Sequence, residues 1–224
     1  MKQTLLALTA LAFTLPAAAN PELANIVTQE FGAATADGIV LLQSAPSVGE
    51  PTQWNVFARD PFRPAELVSA ALSLQGRSWS VKPAGAGRNI LKRIPGQVIN
   101  FGRVRYRSAD VREIVARAAS QSNTVFSSLE YQLAVDVAGG SPEWGVVLLN
   151  AANVEVGFIV VNAETGALGM QQWANQIPVN IPGQPENKGA RAAQGVKEAG
   201  RKAWNWTDNA RRETGNFFKE LFRR

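Results

Sequence analysis

Arg103, Arg105 and Arg107 alternate with other residues in Phe101-Gly102-Arg103-Val104-Arg105-Tyr106-Arg107. On a strand this spacing predicts three guanidinium groups on one face at roughly 6.6 Å intervals. Such a ladder suits carboxylates or phosphates, which accept forked hydrogen bonds from arginine. The three sit in a wider basic stretch: between Glu66 and Asp110 there is no acidic residue, while Arg77, Lys82, Arg88, Lys92 and Arg93 also fall there. The competing reading is a solvated strand face, or pairing with acidic residues of the same chain. Pro83-Ala84-Gly85-Ala86-Gly87-Arg88 has glycines that would let backbone N–H groups approach an anion. It lacks the Gly-Lys-Ser/Thr ending of a phosphate loop and the third spaced glycine of a dinucleotide fingerprint, so it reads as a connection.

Other chemistry is scarce. The chain has no histidine and no cysteine, which removes the commonest general base, the thiolate nucleophile and the usual transition-metal ligands. No catalytic residue, metal ligand or cofactor is therefore expected. Carboxylates acting as a pair, as in glycoside hydrolysis, are the one catalytic alternative. Asp110, Glu113, Glu130, Asp136, Glu143, Glu155 and Glu164 are available, but their spacing puts most at caps, exposed strand faces or turns, which leaves a carboxylate-only hydrolase as a remote alternative. Nucleic acid is not an expected partner, because the cations are not interleaved with a stacking platform.

The second chemical surface lies near the C-terminus. From Glu186 to Arg224 there are ten Lys/Arg and five Asp/Glu, whereas residues 20–185 carry twelve basic and thirteen acidic residues. Residues 175–189 hold Pro178, Pro182, Gly183 and Pro185 and read as an extended linker. Beyond it, Ala192, Val196, Ala199, Ala203, Trp206, Ala210, Phe217 and Leu221 recur at helical spacing, which predicts a basic amphipathic helix over 190–224. Trp204, Trp206, Phe217, Phe218, Leu221 and Phe222 beside many cations suit either an anionic membrane surface or a protein contact.

The elements that must position these residues follow from punctuation and period. Residues 1–19, with Lys2, an apolar run from Leu5 to Leu15 and Ala17-Ala18-Ala19, have the pattern of a cleaved secretory signal, so a periplasmic location is expected, and attachment to a membrane would be peripheral. No later segment reaches the 18 or so apolar residues of a membrane-spanning helix. An offset of 90 residues aligns Trp54 with Trp144, Val56 with Val146 and Gly76 with Gly166, which implies two copies of one unit, 20–82 and 108–174, joined by the basic connection 83–107. Each copy opens with an amphipathic helix, marked by Leu23, Ile26, Val27 and Phe31 in the first and by Val111, Ile114, Val115 and Ala118 in the second. Three strands follow in each: Gly38 to Leu42, Trp54 to Arg59 and Leu67 to Leu74, then Leu129 to Val135, Trp144 to Leu149 and Val156 to Val161. Leu129, Tyr131, Leu133 and Val135 alternate with polar residues, the signature of a half-buried strand. The expected fold is α+β: two tandem units of a helix and a three-stranded antiparallel sheet, packed together and followed by the C-terminal helix.

Helix, strand, a Trp-led strand and then GFIVVNAETGAL resemble the PepSY family, whose last strand commonly ends in Val-Asp-Ala-x-Thr-Gly-x-Val. Val161-Asn162-Ala163-Glu164-Thr165-Gly166 matches that ending, with Asn162 where the family usually has Asp. The match covers 108–174 and is weaker over 20–82. The resemblance implies an envelope domain that acts by binding, often as an inhibitory or regulatory partner of peptidases, and brings no catalytic residues. In bottom-up terms, Asn162 to Gly166 is turn chemistry: Asn folds onto the backbone and Gly accepts positive φ. The expectation is an exported non-catalytic binding or regulatory module. Its partner would be an envelope protein such as a peptidase, or an anionic membrane surface. The runner-up is a membrane-surface tether or envelope structural protein.

Overall fold

The computed structural model describes residues 19–174 apart from 89, 92 and 136–139. Helix α1 (Ala19–Phe31) and the short α2 (Ala33–Ala36) precede strands β1 (Ile39–Ser44), β2 (Gln53–Arg59), β3 (Leu67–Gln75) and β4 (Ser78–Gly87). A 3-10 turn, Phe101–Arg103, leads to α3 (Ser108–Gln121) and strands β5 (Ser128–Val135), β6 (Pro142–Leu149), β7 (Glu155–Asn162) and β8 (Leu168–Trp173).

The eight strands form a single sheet in the order β4-β3-β2-β1-β5-β6-β7-β8, antiparallel at every pairing. This corrects the expected pair of helix-plus-three-strand units packed together. Each helix is followed by a four-stranded meander, and the two meanders merge edge to edge, because β1 and β5 each have a free side and pair with one another. The extra strands are β4 and β8, the two edges. Pro83-Ala84-Gly85-Ala86-Gly87 lies in β4, so this stretch is sheet edge; proline is tolerated there because an edge strand has one side with no ladder to serve. The amphipathic helix expected over 190–224, with Trp204, Trp206, Phe217, Phe218, Leu221 and Phe222, lies outside the described residues, as do the linker 175–189 and residues 1–18.

Both long helices lie on one face of the sheet. Leu23 and Val27 of α1, and Val111, Val115, Ala118 and Ala119 of α3, form the apolar stripes that period 3.6 requires and join one buried cluster with Trp54, Val56, Leu72, Leu129, Tyr131, Leu133, Trp144, Val146, Ile159 and Val161. The centre of that cluster is aromatic. The Trp54 and Trp144 rings lie 6.2 Å apart at 58°, and Tyr131 meets Trp144 edge-on at 6.1 Å. Each indole N–H has an acceptor: Pro51 O for Trp54 at 3.3 Å and Tyr106 O for Trp144 at 2.9 Å. Burial of the Tyr131 ring pushes its phenol well above its ordinary value.

The opposite face carries a second apolar cluster of Val40, Leu41, Phe57, Leu67, Ala134, Val147, Leu149, Phe158 and Val160. Leu91, with Ile90 and Ile94 beside it, packs on this cluster from outside the sheet. The polar positions of β5 were expected to face solvent; instead Glu130 is 3% and Gln132 6% exposed. The face is covered, and Glu130 accepts a hydrogen bond from Gln43 Nε2 at 3.0 Å.

Trp144→Ala should cost about 3–5 kcal/mol, the usual range for removing a buried large aromatic. Because Trp144 packs against both meanders, urea unfolding followed by circular dichroism should keep one transition at a lower midpoint. Two resolved transitions would contradict a shared core.

Candidate partner-binding end of the sheet

Strand direction places one set of loops together. β1, β3, β6 and β8 begin, and β2, β4, β5 and β7 finish, at the same end of the sheet. The β2–β3 loop, the start of β6 and the β7–β8 turn therefore share that end. The connection from β4 to α3 runs along it, since Arg59 Nη2 donates to Pro95 O and Gly96 O at 3.3 and 3.2 Å, and Ile99 N donates to Ile39 O at 2.7 Å. The part of the basic stretch that follows β4, with Arg88, Arg93, Arg103, Arg105 and Arg107, is carried to this end by the topology, whereas Arg77 lies in the β3–β4 turn at the other.

The three arginines of that stretch are not a strand ladder. Arg103 closes the 3-10 turn, Val104 is extended, and Arg107 is the N-cap of α3, where its backbone N–H donates to Asp110 Oδ2 at 2.9 Å. Their alternation comes from an extended segment lying on the protein: Val104 is buried, Tyr106 half-buried, and Arg105 and Arg107 exposed. Among the described residues no strand pairs with it. Arg103 is occupied. Its Nε and Nη2 donate to Glu164 Oε2 at 3.2 and 2.7 Å, Nη1 to Gly140 O at 2.8 Å, and Nη2 also to Ser141 Oγ at 3.2 Å. The Arg103 side chain, with Arg105 adding through its charge, holds the Glu164 carboxyl below its ordinary value although burial pushes the other way. Arg103 is thus a clamp between the start of β6 and the β7–β8 turn. Arg105 and Arg107 are the two of the set that face solvent.

The segment carrying them is pinned from beneath. Arg105 N and Tyr106 N both donate to Ala163 O at 2.9 Å, and Tyr106 O accepts the Trp144 indole. Ala163 is the second residue of the Asn-Ala-Glu-Thr-Gly turn, in which Asn162 Oδ1 accepts from Glu164 N, Thr165 N and Thr165 Oγ1 at 3.0, 2.9 and 3.0 Å. Gly166 follows at φ +72°, and a Cβ there would come within 2.5 Å of the Tyr106 ring. The turn is the seat on which the arginine segment rests.

The sequence reading missed a residue at the same end. Phe62 is 93% exposed at the tip of the β2–β3 loop, yet the loop beneath it is tightly tied. Asp60 Oδ1 accepts from Phe62 N and Arg63 N at 2.8 and 3.1 Å, and Asp60 Oδ2 takes Arg63 Nε and Nη2 at 3.1 and 3.0 Å. Arg63 also pairs with Glu66 at 3.0 Å, and Asp60 N donates to Glu66 O at 3.0 Å. The signal was present in Asp60-Pro61-Phe62-Arg63-Pro64: an aromatic between two prolines in a short turn, where no core position exists to take it. The Phe62 N–H, helped by Arg63 and opposed by burial, holds Asp60 below the ordinary carboxylate range.

Among the described residues no group of three or more His, Cys, Asp or Glu is placed to hold a metal ion, and no helix is long and apolar enough to cross a membrane. Neither the protein-family models, the curated proteins nor the solved structures offer a match to this chain.

Two measurements check this geometry. Gly166→Ala meets both positive φ and the Tyr106 ring, so it should destabilise by more than about 1 kcal/mol. Gly76→Ala, at φ +64° with open space around its Cβ, should cost less in the same thermal melts; equal losses would mean that the Tyr106 contact is not restraining. For Asp60 the depressed value means that its contribution is complete above the unfolded value of about 3.9 and is lost as pH falls through the lower folded value. Exchange protection at the Phe62 and Arg63 amides should therefore hold from pH 7 to 4 and fail only in stronger acid. Loss between pH 6 and 5 would show that Asp60 does not hold the loop.

Proposed function

We propose that this chain is an exported, non-catalytic binding module of the PepSY-like type, and that its partner is an envelope protein with a surface both acidic and apolar. The carrying observation is Phe62: a phenylalanine 93% exposed on a loop tied down by Asp60, Arg63 and Glu66. A rigid exposed aromatic loses little freedom when a pocket closes over it, which is how a contact anchor gains its strength. Arg105 and Arg107 lie towards the other side of the same sheet end. Five strand spacings separate the two loops, roughly 24 Å at ~4.8 Å each, a span that one interface of ordinary size covers. Exposed guanidinium groups at its rim would steer and orient an acidic partner. The signal-like residues 1–19 support export, and the Val161–Gly166 motif supports the family likeness.

The test is crosslinked capture from the native envelope, followed by affinity measurement on the recovered protein. Phe62→Ala should weaken binding at least tenfold, the loss of about 1.4 kcal/mol or more expected of a contact anchor. Arg105→Glu with Arg107→Glu should slow association and flatten its salt dependence. Undiminished capture by both variants would refute this reading.

A further inference from the structure

We infer that this protein pairs with a second copy of itself through the end of the sheet away from Phe62. At that end β1 and β6 finish and β5 and β7 begin, and these strands are neighbours in the order β1-β5-β6-β7. Three short segments close it: residues 45–49 after β1, 122–127 before β5 and 150–154 between β6 and β7. Each puts forward one valine, Val48 being 71%, Val125 85% and Val154 57% exposed. Pro46, Ala151 and Ala152 are exposed beside them. The width from β1 to β7 is three strand spacings, roughly 14 Å at ~4.8 Å each, so the three valines share one apolar patch. Hydrogen bonds fix the segments that carry it. Ser47 and Leu129 exchange N–H to carbonyl bonds at 2.9 Å, and Ser127 N donates to Leu149 O at 2.7 Å. Asn150 Oδ1 accepts from Ala152 N and Val154 N at 2.9 and 3.0 Å.

Charge selects the occupant. No residue of 45–49, 122–127 or 150–154 is charged. Glu50, next along, is turned onto α3, where it accepts from Ser108 Oγ at 2.8 Å, and Arg77 lies two strands beyond β1 in the β3–β4 turn. In a two-fold pairing the same patch of both copies meets itself, so a charge near the axis faces its like. A neutral patch escapes that repulsion. The opposite end does not, because it exposes Arg88, Arg105 and Arg107. Pairing through the valines points the two basic ends away from each other, roughly 50 Å apart for two strands of about eight residues at ~3.3 Å rise. That is far beyond the screening length of about 8 Å at physiological salt. A membrane surface fits poorly: interfacial anchors are Trp and Tyr among Lys or Arg, and these three segments contain none of the four. A patch this narrow buries less than the ~1,200 Å² at which standard interfaces begin. The pairing is therefore reversible.

Sedimentation velocity and two-dimensional NMR on the full-length exported protein test the pairing directly. Over a concentration series reaching about 1 mM, the weak end of specific affinity, the sedimentation coefficient should rise. The amides of Val48, Val125 and Val154 should shift over the same series while that of Phe62 stays fixed. Val125→Glu and, separately, Val154→Glu should each weaken self-association at least about tenfold, with thermal melts unchanged because both side chains are exposed. Three results would overturn the proposal. The protein could remain a monomer throughout, and loss of envelope capture with Val125→Glu would then give the patch to a different protein. Association could persist undiminished in both variants, which would place the contact elsewhere. The patch amides could shift only when phosphatidylcholine vesicles are added, which would give the valines to a lipid surface. Phe62→Ala, and Arg105→Glu with Arg107→Glu, should self-associate as the unaltered chain does, so this inference and the sheet-end reading can fail separately.

Discussion

The structure depends on how β1 and β5 hold two meanders in one sheet. Their ladder is short: Leu41 with Ala134, Leu42 with Leu133 and Gln43 with Gln132. It resumes through an isolated bridge between Ser47 and Leu129, with Ser44 Oγ accepting the Tyr131 N–H at 2.9 Å between them. By contrast β3 and β4 pair along nearly their whole length. So few ladder bonds would leave the seam as the weakest line of the sheet, and the aromatic group of Trp54, Trp144 and Tyr131 lies across it. Tilted and edge-on pairs contribute about 0.5–1.5 kcal/mol each beyond the area they bury. On the other face the Gln43–Glu130 hydrogen bond crosses the same line.

This seam also links the core to the exposed chemistry. Trp144 donates its indole N–H to Tyr106 O, and the Tyr106 ring lies against Gly166, so the residue that closes the core fixes the arginine-bearing segment and the β7–β8 turn. Arg103 then clamps Glu164 and Gly140 from outside. A change at Trp144 would be felt at Arg105, whose side chain faces solvent. The β2–β3 loop obtains its order differently, chiefly from the Asp60, Arg63 and Glu66 network, to which Arg59 adds a hydrogen bond to Pro64 O.

Much of the helix and inner-strand pattern was legible because those elements have a face to bury. Leu23 and Val27, Val111 and Val115, and the run from Leu129 to Val135 show periods that only packing demands. The edges were not legible. β4 contains Pro83 and two glycines and β8 is half-exposed, so neither needs a regular apolar pattern to be held by one neighbour. The arginine alternation misled for a related reason: any extended segment lying on a protein turns every second residue inward, whether or not a strand pairs with it. Glu130 and Gln132 misled most. Polar residues at period 2 normally mean solvent, but here they line a covered face, and single-chain periodicity does not reveal what covers a sheet. The 90-residue offset carried real geometry, since Trp54 and Trp144 meet and Gly76 and Gly166 share positive φ. It did not show that matching units would fuse along their strands.

Fusion has a consequence for where this protein can act. An open antiparallel sheet of eight strands exposes two edges, and unpaired edges recruit other strands unless something spoils them. On β4 the outer rim carries Pro83, which has no N–H to offer, together with Lys82. β8 has a register shift against β7 between Ile159 and Val161, which breaks the continuous ladder a docking strand would extend. Strand addition at either edge is thereby discouraged. One face is filled by helices and the other is covered. What is left to meet a partner is the loop-bearing ends of the sheet, and the end carrying Phe62 and Arg105 is the one whose loops are held rigid by charge and by the core.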